Sequence, residues 1–245
     1  AEGFGLEFSL GETTSLERQG DLIKVNLADG ELLSKAVIIA SGVQPNQLGV
    51  PGEVELTGRG VSYCGTCDGP FFKDVEILVV GGGDTAVEEA MFLTRFASKV
   101  HFCHRRDELR ATGILQERIK AEPKVEIHWS TVVKSIEANA QDQVSGATVE
   151  DLKTGEKYSI PVQGVFMFVG VHPATEFLKG FVELDERGFI KADENLATSQ
   201  SGVLAAGDVR VKTLRQVVTA VGDGATAAFN AEHYIQGKFH SPFVS

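Results

Sequence analysis

Apolar residues along the chain fall mainly into short continuous runs, and those runs predict most of the fold. Ala36-Val37-Ile38-Ile39-Ala40, Ile77-Leu78-Val79-Val80 and Gly164 to Val169 lack the polar alternation of a strand that is wet on one face. They therefore read as strands covered on both sides. Phe4 to Leu10, Leu22 to Leu27 and Lys35 to Ala40 form a strand-rich opening divided by Gly-Glu-Thr and Asp-Gly turns. Gln44-Pro45-Asn46-Gln47-Leu48-Gly49-Val50-Pro51-Gly52 is rich in turn formers and marks a domain boundary. Beyond it comes a βαβ unit: strand Glu76 to Val80, helix Asp84 to Ala97 with Ala86, Ala90, Leu93 and Phe96 or Ala97 on its apolar side, and strand Lys99 to Cys103. A helix around Thr112 to Ala121 and strands near Val125 to Ser130, Gly146 to Asp151, Lys157 to Val162 and Gly164 to Val169 complete the middle, which the Gly170-Val171-His172-Pro173 turn closes. A hairpin-like stretch around Phe189-Ile190-Lys191, the strand Gly202 to Ala206 and a helix from about Asp223 to Ile235 make a third piece. The class is α/β, without repeats or low-complexity tracts.

Composition narrows the picture little. The chain has 245 residues, 42% hydrophobic and 23% charged, as in ordinary globular proteins. No apolar run reaches the roughly 20 residues of a membrane span. A net charge of −11 argues against a sequence-independent grip on nucleic acid, so no nucleic-acid and no membrane partner is expected. Three cysteines suit a reducing, cytoplasmic compartment. The chain opens Ala1-Glu2-Gly3-Phe4, without a targeting segment and without an initiator methionine, so a missing natural start is expected.

Chemistry concentrates in two motifs of the middle piece. Cys64-Gly65-Thr66-Cys67-Asp68 can close a small disulfide ring, and Asp68 stands where it can handle a proton. Half of a zinc site or a structural bridge would use the same spacing, but there is no second CxxC and no His-x-x-x-His, and no metal site is expected. Cys103, in an apolar strand, reads as an inert core thiol. The turn Gly81-Gly82-Gly83-Asp84-Thr85-Ala86 fits G-x-G-x-x-A between a strand and a helix. Gly81 allows the tight turn, Gly83 the approach of a pyrophosphate, and Ala86 close helix–strand packing. At the end of the next strand, where an NAD site carries an acid for the ribose 2′-hydroxyl, stand His104, Arg105, Arg106 and, shortly after, Arg110. Guanidinium groups there suit a 2′-phosphate and favour NADPH; a solvated run neutralised by Asp107 and Glu108 is the alternative. A second anion-and-hydroxyl site is suggested by Ala205-Ala206-Gly207-Asp208, with Arg215-Gln216-Val217 and the glycines of Gly222-Asp223-Gly224 at a helix start. A flavin is one ligand that would fit it.

In their order and spacing these motifs resemble the low-molecular-weight, bacterial-type thioredoxin reductases over the whole chain. The resemblance implies two Rossmann-like domains, an NADPH domain of residues 46–173 inserted into an FAD domain made of residues 1–45 and 174–245. It implies electron transfer from NADPH through FAD to the Cys64/Cys67 disulfide and on to thioredoxin, within a homodimer. By the same carry-over Cys67 is the thiol nearer the flavin, Cys64 the interchange thiol and Asp68 the acid–base partner. Gly42, Gly207, Asp208, Arg215, Gln216 and Val217 fall to FAD. Gly81, Gly83, Asp84, Thr85, Ala86, His104, Arg105, Arg106 and Arg110 fall to NADPH. The strand–GxGxxG–helix unit that opens this family is not in the sequence, so the FAD domain is expected to be incomplete, and residues 1–245 alone to bind NADPH yet hold FAD poorly. Gly65 replaces the motif's usual alanine, and His172 reads as a loop residue. A reductase of a peroxidase system is the sibling alternative; a ferredoxin-driven relative has no use for the arginines. A non-catalytic NADPH-binding fragment is the alternative of another class.

Overall fold

The strands predicted from continuous apolar runs all lie in parallel pairings; residues 77–80 and 164–167 are covered on both faces, whereas Ile38 in the first run is exposed, so that strand is covered on one face only. The computed structural model describes Gly3 and residues 5–238. In chain order its elements are β1 (Thr13–Gln19), β2 (Leu22–Leu27), β3 (Gly30–Ser34), β4 (Val37–Ile39), β5 (Val43–Pro45), β6 (Val61–Ser62), α1 (Gly65–Asp68), β7 (Glu76–Gly81), α2 (Asp84–Leu93), β8 (Lys99–Cys103), α3 (Gly113–Ala121), β9 (Val125–His128), β10 (Thr131–Ala138), β11 (Val144–Asp151), β12 (Lys157–Ile160), β13 (Gly164–Phe168), β14 (Val171–Pro173), β15 (Val203–Ala205) and α4 (Val217–Ile235). They divide into two units, residues 1–44 with 171–245, and residues 45–170.

The second unit has three layers. Its centre is a parallel sheet of order β6-β13-β7-β8-β9. One face, carrying Ile77, Val79, Val100, Phe102 and Phe166, packs on Ala86, Val87, Ala90 and Leu93 of α2. The other, carrying Leu78, Val80, Val165 and Met167, packs on Val133, Ile136, Ala147 and Val149 of the antiparallel β10-β11-β12 meander. Burying each such side chain contributes roughly 1.5–3 kcal/mol, and helices as short as α2 and α3 owe their stability to that packing. The loops after β7 and β8 leave from the carboxyl edge of the sheet, where open α/β folds bind ligands.

The first unit holds an antiparallel sheet β1-β2-β3 and a parallel pair β4-β15. Leu16, Ile23, Ile39, Ile190, Val203 and Ala205 form its main core. Ala227 and Ala231 of α4 pack on Leu204 and Ala206. Among the described residues no helix is long and apolar enough to cross a membrane.

Four expectations change. Phe4 lies outside the described residues, and residues 5–10 form no strand: Phe8 and Leu10 are exposed, with no partner strand to pair with. The opening strand is instead β1, an edge strand whose single buried residue is Leu16. The stretch read as one strand from Val125 to Ser130 ends at His128, because Ser130 takes a left-handed φ of 51° and β10, not foreseen, starts after it. Helix α2 stops at Leu93, short of Ala97, although Ala97 remains buried. Helix α4 begins at Val217, not near Asp223, with Thr219 Oγ1 accepting from the Gln216 N–H at 3.3 Å in the manner of a capping box. Gly222 and Gly224 therefore lie inside the helix and offer no free amides to an anion.

Candidate functional site

The glycine turn is shaped by what its glycines leave room for. A Cβ on Gly81 would stand 2.4 Å from the Ala86 Cβ and 2.8 Å from the Phe168 carbonyl oxygen. On Gly82 it would fall 2.1 Å from the His104 ring. On Gly83, the N-cap of α2, it would meet nothing within 4 Å, so that backbone can be approached from outside. The His104 ring is buried behind the turn, with Nδ1 2.6 Å from Gly81 O and Nε2 2.9 Å from Glu108 O. Asp84 accepts from the Thr112 N–H at 2.7 Å, tying the start of α3 to the start of α2. Gly82→Ala is expected to force the His104 ring aside and lower stability by about 1–3 kcal/mol, which thermal unfolding would read as a fall in Tm; an unchanged Tm would deny the ring its clamping role.

Beside the turn opens a cleft of about 530 Å³ lined by Gly81, His104, Arg105, Arg106, Arg110 and the loop around Leu48. The three arginines are exposed and, among the described residues, none forms an ion pair. Asp107 does not neutralise them. Its carboxylate accepts from Ser130 Oγ and pairs with Lys153 Nζ at 2.9 Å, and these contacts, Ser130 first, hold its pKa below the ordinary value. The Arg110 N–H donates to Gly82 O at 2.7 Å, which fixes where that side chain starts. Sequence reasoning missed Glu53, which orders the rim: fully buried, it accepts from the N–H groups of Leu48 and Gly49 at 3.0 and 2.8 Å and from the Tyr63 hydroxyl at 3.0 Å. Burial, then the neighbouring Glu53, pushes Tyr63 up to about 12.

In the same unit β6 runs into the dithiol. Cys64 and Cys67 are joined as a disulfide with Cα atoms 5.3 Å apart. Cys64 caps α1, its Sγ accepting from the Cys67 N–H at 3.1 Å. Asp68 accepts from Ser62 Oγ at 2.6 Å, and that oxygen in turn accepts from the Cys64 N–H at 3.1 Å, so one hydroxyl aligns the acid with the bridge. A second carboxyl escaped the sequence reading: Glu89 of α2. A Cβ on Gly65 would lie 2.2 Å from Glu89 Oε2, so the carboxyl stands directly against the motif's backbone. Burial first, then the charge of Glu88, raises the Glu89 pKa. Cys103 is a buried free thiol, pushed up to about 12 by burial.

The first unit carries the other candidate residues. Gly42 and Gly207 sit in the left-handed region, at φ 70° and 77°, at the ends of β4 and β15. Asp208 Oδ1 and Arg215 Nη2 are buried and lack a hydrogen-bond partner among the described residues. Arg215 Nε donates to the Asp208 carbonyl at 3.3 Å, and its guanidinium stacks 4.2 Å over Phe189. Burial is what chiefly lowers its pKa. Orphaned polar atoms are rare inside proteins, and a ligand carrying both hydroxyl donors and acceptors would satisfy this pair. Gln216 and Val217 open α4 beside them. The turn is braced by Asp223, which accepts from Arg210 at 2.8 and 2.9 Å, from Lys212 at 2.8 Å and from the Gly207 N–H at 3.0 Å. These partners, Arg210 first, hold its carboxyl well below the ordinary range.

Comparison with known proteins agrees across the chain. The Pyridine nucleotide-disulphide oxidoreductase family profile matches residues 2–224. The thioredoxin reductase of Peptoclostridium litorale is 47% identical over 97% of this chain and 77% of its own length. That of Bacillus subtilis is 44% identical over 96% and 74%. Among solved structures, the thioredoxin reductase of Streptococcus pyogenes superposes with a TM-score of 0.92 at 47% identity, over 96% of this chain and 77% of that one.

Proposed function

The chain belongs to the pyridine nucleotide-disulphide oxidoreductase family, as a thioredoxin reductase of the bacterial type, and from that premise we propose how its residues divide the work. NADPH binds at the glycine turn, its pyrophosphate at the open amides beginning α2 and its 2′-phosphate among Arg105, Arg106 and Arg110. FAD, when bound, would supply the two-electron relay between a nicotinamide and a disulfide. Asp208 and Arg215 would hold it, the first as an acceptor for hydroxyl groups and the second as a donor. The orphaned atoms of both residues support that fit.

The dithiol carries the reaction to the protein substrate. Once Cys64–Cys67 is reduced, the Cys64 thiolate attacks one sulfur of thioredoxin's disulfide; a Cys64–thioredoxin bond forms, the substrate S–S bond breaks, and the leaving thiolate takes a proton. Cys67 then attacks Cys64 Sγ, re-forming the internal bridge and releasing the second thioredoxin thiolate, which is also protonated. Asp68, oriented by Ser62, is the group beside the bridge that can move these protons. The observation that carries this reading is the closed Cys64–Cys67 bridge with Asp68 aligned on it through a single hydroxyl.

Trapping tests it. With Cys67→Ser, the reduced protein mixed with oxidised thioredoxin is expected to accumulate a covalent 1:1 adduct, visible on a non-reducing gel and dissolved by thiol. Adduct from Cys64→Ser with none from Cys67→Ser would reverse the roles of the two cysteines, and equal adduct from both would overturn the division between them.

A further inference from the structure

We propose that His101, His128 and Glu126 form a binding site for a divalent transition metal ion of the zinc class, remote from the dithiol chemistry. The three side chains bring one ligand atom each to within 4.8 Å of one another. They come from adjacent strands, His101 from β8 and the other two from β9, in a parallel register that pairs His101 with Glu126 and Cys103 with His128. His101 Nδ1 and His128 Nε2 face each other at 3.1 Å. Two nitrogens bound at about 2.0–2.1 Å to one tetrahedral ion lie about 3.3–3.4 Å apart, so the rings already stand nearly at ligand spacing. A Glu126 carboxylate oxygen lies 3.9 Å from each of these nitrogens, and its side chain is half exposed.

What raises this above a chance pair of histidines is the outer set of partners. The remote nitrogen of each ring is already held: His101 Nε2 by Glu76 Oε2 at 2.8 Å, and His128 Nδ1 by the Tyr158 hydroxyl at 3.0 Å. Metal-binding histidines characteristically donate their second N–H to a carboxylate or another oxygen, which fixes the tautomer and turns the lone pair toward the ion. Here, with both remote nitrogens donating outward, two lone pairs point at each other, an arrangement that a cation between them stabilises. Without the ion, a proton on His128 Nε2 shared with His101 serves instead, and the Tyr158 hydroxyl turns to donate to Nδ1. Both rings are nearly buried, with side-chain exposures of 7% and 11%, so they are not loose surface imidazoles.

The competing cation is Lys99, whose ammonium lies 2.5 Å from Glu126 Oε2. That pair is half exposed, and such pairs contribute at most about 1 kcal/mol, so a dication can displace it. Two imidazoles and one carboxylate suit Zn²⁺ and leave a fourth position for water; Mg²⁺ and Ca²⁺ prefer oxygen ligands throughout.

The test titrates Zn²⁺ into the tag-free full chain with the Cys64–Cys67 disulfide intact, so that thiolates do not compete, and reads binding by calorimetry and by the rise in Tm. One Zn²⁺ per chain is expected, with no response to Mg²⁺. His128→Asn should remove the binding, and Glu126→Gln, at a half-exposed position, should weaken it without disturbing the fold. Tyr158→Phe and Glu76→Gln, which touch no ligand atom, should each weaken it about tenfold or more. Absence of any Zn²⁺ response in the native chain, or native affinity in His128→Asn, Glu126→Gln and Tyr158→Phe, would overturn the assignment.

Discussion

Replacing Arg105 and Arg106 together with alanine is expected to weaken NADPH binding by about 100-fold or more while leaving NADH within a few-fold. A hundredfold corresponds to about 2.8 kcal/mol, or about 1.4 per guanidinium, near the lower end of the range for charge-assisted hydrogen bonds. The lower end is the right choice because both side chains are exposed and solvent screens them. They are free to take the phosphate because Asp107 is engaged by Ser130 and Lys153. Calorimetry of both nucleotides at one fixed ionic strength decides the matter. Equal losses for NADPH and NADH would mean that the arginines shape the cleft without reading the phosphate. Repetition at higher salt should shrink the difference between native and variant, since exposed charges more than about 8 Å apart are largely screened at physiological ionic strength.

Much of the second unit was legible in the sequence, because its parallel strands advertise themselves. Ile77-Leu78-Val79-Val80 is apolar at every position since α2 covers one face and the meander the other. The first unit's antiparallel sheet was harder. Thr13–Gln19 buries only Leu16 among polar residues, so neither a continuous run nor an apolar stripe marks it. The Phe4 to Leu10 stretch misled for the opposite reason, since apolar residues make a strand only where a neighbour accepts the backbone hydrogen bonds, and the described part of this stretch has none. The break at Ser130 depends on a left-handed residue that is not glycine, which composition does not announce.

The site shows the same division. Motifs that are local in sequence, the CxxC and the glycine turn, could be read directly, because their chemistry depends on residues a few positions apart. Carboxylates whose role depends on how the chain folds back around them could not. Glu53 matters because Tyr63 and the amides of Leu48 and Gly49 converge on it, and Glu89 because α2 carries it half-buried beside the turn of Gly65. Asp223 appeared in the sequence as a residue between two glycines at a helix start; in the fold it lies inside α4 and anchors Arg210, Lys212 and the Gly207 turn. His101 and His128 are 27 residues apart and meet because β8 and β9 are neighbours in register. A search for cysteine clusters and His-x-x-x-His spacing does not find such a pair.

Cys64→Ser is expected to abolish thioredoxin reduction in the FAD-loaded enzyme while NADPH still bleaches the flavin's visible absorbance at close to the native rate. Separation of the two half-reactions follows from the chemistry: hydride transfer from NADPH does not involve sulfur, whereas exchange requires a thiolate nucleophile, and a serine hydroxyl has neither the acidity nor the polarisability to replace it. Asp68→Asn belongs to the same experiment with a smaller effect. The amide keeps the size of the side chain and can still meet the Ser62 hydroxyl, which donates to the carboxylate at 2.6 Å, but it neither takes up nor releases a proton. The exchange half-reaction should then slow by about 10²–10⁴-fold, the usual range for one general acid–base group, with NADPH affinity unchanged. Rapid-mixing measurements of each half-reaction, followed by flavin absorbance and by the appearance of thioredoxin thiols, distinguish the outcomes. If Cys64→Ser reduced thioredoxin at the native rate, electrons would be leaving by some route other than this dithiol. If Asp68→Asn slowed the NADPH half-reaction instead, the carboxylate would be serving the nucleotide and not the bridge beside which Ser62 holds it.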